Sequence, residues 1–271
     1  MNIENNIAEK PVNQRRTGYW IIISVLAILT VLYLFSSLSA PVKKIHQLNA
    51  AFNDSIRPDL LDKTYPVPEN PALFELYRQK AFLESRLAMA KNNTIGLVVD
   101  LQDSILDIEI GGIKLHSTQI SKYRVSRTFG KIDHKAFIGL FSKPLKTVHN
   151  SGTFVKEPIV VKKAPKDTIE AAQQATVPDS IKTGPAFVAL TLDYNIRLSL
   201  YQENKKSVWT MLYGFIFRSG MRFRRAGEAV QGAVTFRIPD YRPEIRVFVP
   251  KKDLITIYRA LPADTRVVIK L

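Results

Sequence analysis

The most constraining feature of the sequence is an uncharged, mostly apolar run near its start, from Trp20 to Leu38. A helix over these 19 residues is roughly 28 Å long at ~1.5 Å per residue, close to the hydrocarbon thickness of a bilayer. The run therefore predicts a transmembrane helix over 18–40, in contact with the lipid bilayer through residues 20–38.

The residues on either side of the run indicate whether it is retained or cleaved and how it is oriented in the membrane. Tyr19 and Trp20 lie at one end, where aromatic rings prefer the membrane interface, and Pro41 follows the only cleavage-like end. A retained anchor is favoured over the alternative, a long cleaved signal peptide. Arg15 and Arg16 favour a single-pass protein of the cytoplasmic (inner) membrane, with the N-terminus inside and the C-terminal domain periplasmic or extracytoplasmic.

The composition excludes some chemistry and indicates a class of partner. The chain of 271 residues has no cysteine, which excludes disulfides, thiolate catalysis and cysteine-ligated metal sites. No cofactor is predicted. The net charge of +15 favours an anionic partner such as a cell-wall polymer, with a solvated basic surface as the plain alternative. Nucleic acid would suit only a cytosolic domain and is the less favoured partner.

Helical patterns dominate the first third of the chain. Residues 1–17 read as a disordered tail, and 41–93 as a helical stalk or linker whose second helix begins at Asn70-Pro71. The apolar stripe of that helix predicts packing onto a sheet of the same chain, and the alternative is a homodimer through residues 72–90. Its central members follow steps of three and four residues that Lys80 interrupts: Leu73, Leu76, Leu83, Leu87 and Ala90. Four further residues make the stripe wider than a coiled-coil seam, which favours the sheet: Phe74, Tyr77, Ala81 and Ala88.

From Thr94 the apolar period changes from that of a helix to that of a strand, which predicts a β-rich exported domain over 94–271. Asp107 and Glu109 alternate with apolar residues, so we expect both on one wet face of a strand. The strand pattern of 95–110 recurs at 187–201, and a flexible insert is expected at about 156–185. The predicted fold class is α+β: a transmembrane helix, an amphipathic helix, then a sandwich or barrel-like domain with a few helices.

Candidate site residues are few. The apolar, aromatic stretch 207–220 is followed by arginines, a combination that suits an anionic partner. His134 and His149 lack a spaced carboxylate, and neither a metal site nor a catalytic residue is predicted. The predicted binding residues are Arg218, Arg222, Arg224 and Arg225.

Two segments resemble L,D-transpeptidase-type domains. Ile95–Gly112 resembles their opening hairpin, and the residues from Val249 to Tyr258 and from Leu261 to Ile269 resemble their closing helix and last strand. The resemblance implies a largely β, envelope-located domain, often membrane-anchored, of a family that crosslinks peptidoglycan. The Ser-His-Gly-Cys-x-Arg run of that family is missing, so the resemblance implies a member without its activity and carries over no catalytic residue.

These observations together predict a non-catalytic, membrane-anchored envelope protein whose exported domain binds or scaffolds a cell-wall polymer or another envelope protein. An envelope hydrolase or transferase with a non-cysteine site is one alternative. A membrane-tethered basic cytosolic domain that binds nucleic acid is the other.

Overall fold

The computed structural model describes residues 14–53, 71–154, 184–203 and 240–271, with 212, 214–216 and 219–220. These residues form an α+β fold built around one mixed sheet of nine strands. Two α-helices precede the sheet, and two more are inserted between its strands, with two short 3-10 helices at Arg127–Lys131 and Asp193–Asn195. Residues 212, 214–216 and 219–220 are also helical. The predicted flexible insert therefore falls mostly outside the described residues.

The first helix, α1 (Gln14–Asn53), corrects the prediction for the start of the chain. None of the helices in the part of the chain that the structure describes has the length and apolar character needed to cross a membrane. The transmembrane helix over 18–40, with the single-pass and inner-membrane predictions, is therefore wrong, and the bilayer contact through 20–38 loses its basis. The prediction treated the apolar run as a separate span ended by Pro41, whereas Pro41 lies inside one continuous helix.

The two halves of α1 differ in their surroundings. The buried residues of the second half are four positions apart. They form one face of the helix, because residues at this spacing lie on the same side. The first half keeps its described large apolar side chains exposed, and nothing among the described residues covers them: Tyr19, Trp20, Ile21, Ile22, Ile23, Val25, Ile28, Val31, Leu34 and Leu38. The buried positions of the second half are Ala40, Lys44, Leu48 and Phe52.

Specific contacts fix the second half of α1 on the domain. The Phe52 ring lies 5.0 Å from the Tyr194 ring and directly against Gly139, where an added Cβ would come within 2.8 Å of it. Lys44 is buried and pairs with Asp240 at 3.5 Å. These contacts hold the part of α1 that follows Pro41 against the domain.

The second helix precedes all nine strands, and each of the other two helices lies between two strands. Helix α2 spans Pro71–Ala90, α3 spans His134–Phe141 and α4 spans Lys251–Ala260. The strands are β1 (Gly96–Asp100), β2 (Ile105–Ile110), β3 (Ile113–Gln119), β4 (Lys122–Val125), β5 (Leu145–Gly152), β6 (Phe187–Leu192), β7 (Ile196–Gln202), β8 (Glu244–Val249) and β9 (Arg266–Lys270).

The strand order across the sheet is β3-β2-β1-β9-β5-β6-β7-β8-β4. Two pairs, β1 with β9 and β7 with β8, are parallel, and the other neighbours are antiparallel. The two segments with a recurring pattern, 95–110 and 187–201, each form an antiparallel hairpin.

The sheet curls so that the end of one edge strand comes close to the start of the other. The edge strands β3 and β4 are separated in sequence only by Ile120 and Ser121, a distance of at most about 10 Å for an extended chain. The Ile120 amide donates to the Ser104 carbonyl beside β2, and the Ser121 amide donates to the Phe248 carbonyl of β8. The curled sheet encloses the main hydrophobic core, into which α4 contributes Leu254, Ile257 and Tyr258.

Candidate functional site on helix α2

Helix α2 has two apolar faces on opposite sides. The inner face packs on the outside of the sheet, where Phe82 and Met89 form a small core with Val98 of β1 and Val268 of β9. This is the face opposite to that of Leu97 and its neighbours in the main core. The helix is thus an added layer over β1, β2 and β9.

An ion pair that is buried on one side fixes the rotation of α2. The Arg86 guanidinium donates from Nε to Glu109 Oε2 at 2.9 Å and from Nη2 to Oε1 at 2.5 Å. The Glu109 side chain is 0 % exposed. A fork-shaped guanidinium matches both oxygens of a carboxylate, so this pair sets the position of the helix as well as its distance from β2.

The prediction of a wet face on β2 is wrong. Asp107 and Glu109 do share a face, as their alternation indicated, but that face lies under α2 and both residues are buried. Asp107 is paired with Lys114 of β3 at 2.6 Å, and Glu109 with Arg86. Buried carboxylates require such partners because an unpaired charge is costly away from water.

A glycine allows α2 to approach the sheet closely. The Met89 side chain lies over Gly96, and a Cβ added at Gly96 would be only 2.1 Å from the Met89 sulfur. At the opposite end of the same pair of strands, the centroid of the Phe82 ring lies 5.5 Å from the Lys270 ammonium. That ammonium donates to Asp103 and holds the pKa of this carboxyl below its ordinary value.

The outer face of α2 carries four leucines that none of the described residues covers. Leu76 and Leu83 are each 60 % exposed, and Leu87 is 58 % exposed. Leu73, at the first turn, is 36 % exposed. Single exposed leucines are ordinary on protein surfaces, but an aligned row of four on one helix marks an interaction surface.

The spacing of the row is that of a coiled-coil seam. Steps of three and four residues alternate from Leu73 to Leu87, which places these leucines at successive a and d positions of a heptad repeat. Lys80 occupies the central a position and lies 3.8 Å from Glu84 one turn later. We call Leu73, Leu76, Lys80, Leu83 and Leu87 the α2 seam. An open groove runs along it, lined by Leu76, Gln79, Lys80, Leu83, Glu84 and Leu87.

The basic cluster predicted to bind an anionic partner, Arg218, Arg222, Arg224 and Arg225, lies outside the described residues and stays a prediction. Within the preceding stretch 207–220, the structure describes Leu212, Phe215 and Ile216 as helical and exposed. Those three side chains therefore do not belong to the core clusters.

The histidines predicted to be weak catalytic candidates lie apart. His134 stacks on Phe74 of α2 with ring centroids 3.9 Å apart, and His149 is exposed on β5. His116 lies near a carboxylate, with its Nε2 3.7 Å from Asp253 Oδ1 of α4. That distance is too long for a hydrogen bond. Within the described residues, no group of three or more side chains is gathered that could hold a metal ion.

The chain matches no protein-family model, no curated protein and no solved structure. The resemblance to L,D-transpeptidase-type domains stays a prediction. Its two segments are neighbours in the fold, because β1 of the first pairs in parallel with β9 of the second.

Proposed function

We propose that this chain is a binding or scaffolding protein whose curled sheet presents α2 as a docking surface for a helix of a protein partner. The observation that carries the proposal is the row of exposed leucines at heptad spacing on the outer face of α2. A partner helix with its own a and d residues would cover that row and exclude water from it.

The anchoring of the inner face supports this proposal. Arg86, Phe82 and Met89 hold the helix on the sheet independently of the seam, so the leucines are presented in one fixed row. Binding a partner then requires little additional ordering of the backbone, and such preorganisation lowers the entropic cost of association.

A photo-crosslinking experiment tests the proposal. A photoreactive amino acid replaces Leu83 in the full chain expressed in its native cells, and a matched chain carries it at Lys122, an exposed residue of β4 outside α2. We expect a discrete crosslinked product from the chain labelled at position 83. The chain labelled at position 122 should give at least tenfold less of that product. Equal labelling at both positions, or no product at 83, would overturn the proposed function.

A further inference from the structure

The α2 seam is self-complementary. With Ala90 added at its end, the steps of three and four residues along it are symmetric about the middle of the helix, between Ala81 and Phe82. We propose that the helix docked on the seam is α2 of a second copy of this chain, running antiparallel. This inference rests on the proposed function and names its partner.

The antiparallel arrangement has a defined register. It places Leu76 opposite Leu87 of the second copy and Lys80 opposite Leu83 of the second copy. At the ends, Leu73 meets Ala90 of the second copy, a small residue at the close of the helix. Each a position then faces a d position, and the two central Lys80–Leu83 layers lie between two Leu76–Leu87 layers.

Charge decides between the two possible directions. A parallel pair in register places Lys80 directly opposite Lys80 of the second copy, and like charges at such a site oppose association. In the antiparallel pair, Lys80 faces a leucine and its ammonium lies near Glu84 of the second copy. Lys80 and Glu84 already pair within one chain at 3.8 Å, so the dimer gathers two cations and two anions around its twofold axis.

The stem of Lys80 is suited to this position. Lysine can lay its methylene groups along apolar surface while its ammonium stays in water. The Lys80 side chain is 61 % exposed and the Glu84 side chain 51 % exposed, so both can be rearranged without disturbing the inner face. One polar residue in an otherwise apolar seam fixes register at some cost in affinity, and we therefore expect a dimer that dissociates on dilution.

Cysteine crosslinking tests direction and register, and the absence of native cysteine makes each introduced thiol unique. Two full-length variants, Leu76→Cys and Leu87→Cys, are prepared separately and then mixed under mild oxidation. In the proposed register these two positions are opposite each other. Two copies of the same position lie about 16 Å apart along the helix axis, beyond the ~7 Å that a disulfide can bridge.

We expect the mixture to form disulfide-linked dimers at least tenfold faster than either variant alone. If each variant alone crosslinks as fast as the mixture, the pair is parallel and the proposal is overturned. A lack of crosslinking in all three samples would also overturn it. Far-UV circular dichroism of both variants checks that they fold, which we expect because both leucines are exposed. A photo-crosslinked product at position 83 that contains a different protein would retain the proposed function and overturn the self-pairing.

Discussion

Removing Arg86 should destabilise the domain through the buried carboxylate that it leaves behind. Both oxygens of Glu109 accept hydrogen bonds from the Arg86 guanidinium, and the Glu109 side chain is 0 % exposed. Truncating one member of such a pair costs about 3–5 kcal/mol. We therefore expect Arg86→Met to lower the free energy of unfolding by about that amount, which is more than a hundredfold in the folding equilibrium at ~1.4 kcal/mol per tenfold.

The assay is urea unfolding followed by far-UV circular dichroism at low protein concentration, so that association does not contribute. Glu84→Gln on the same helix is the matched control: it breaks an ion pair in which both side chains are more than half exposed, and we expect a change within about 1 kcal/mol. The double variant Arg86→Met/Glu109→Leu should recover most of the loss, because no buried charge remains. An Arg86→Met variant as stable as Glu84→Gln would refute the reasoning.

Three further predictions follow from the packing and the charges. Gly96→Ala should destabilise the domain, since its Cβ would be 2.1 Å from the Met89 sulfur, and in Met89→Ala chains the same change should cost less in a thermal melt. Phe52→Ala should cost about 3–5 kcal/mol in urea unfolding, because the ring is 8 % exposed. The hydrogen bond from Lys270 lowers the pKa of Asp103 in the folded state. The stability that this pairing contributes is therefore fully present above the unfolded pKa of about 3.9, and it is lost as the pH falls through the folded-state pKa. Asp103→Asn should therefore have a lower free energy of unfolding than the native chain at pH 6, and this difference should shrink towards pH 2.

The strand pattern predicted which residues share a face but not what covers that face. Alternation placed Asp107 and Glu109 together on β2 correctly. The alternation could not reveal that α2 lies over these two residues. Arg86, which neutralises the buried Glu109 carboxylate, belongs to a different element of the chain. The sequence alone offers no signal for that pairing.

The helix pattern was ambiguous for a related reason. Helix α2 carries two apolar rows, and periodicity alone does not say which of them faces the sheet. The prediction assigned the leucine row to intrachain packing, whereas Phe82 and Met89 occupy that side and Leu83 is exposed. The close approach at Gly96, which favours the Met89 row, becomes apparent only in three dimensions.

The most direct test of the account is sedimentation equilibrium of the full chain over a range of concentrations. Leu83→Glu places a charge in the α2 seam, and Val148→Glu is the matched control at an equally apolar residue, 71 % exposed, on β5. We predict a concentration-dependent dimer for the native chain and for Val148→Glu, and a dissociation constant at least tenfold higher for Leu83→Glu. Identical association of all three chains would contradict pairing of two copies of the chain through the α2 seam.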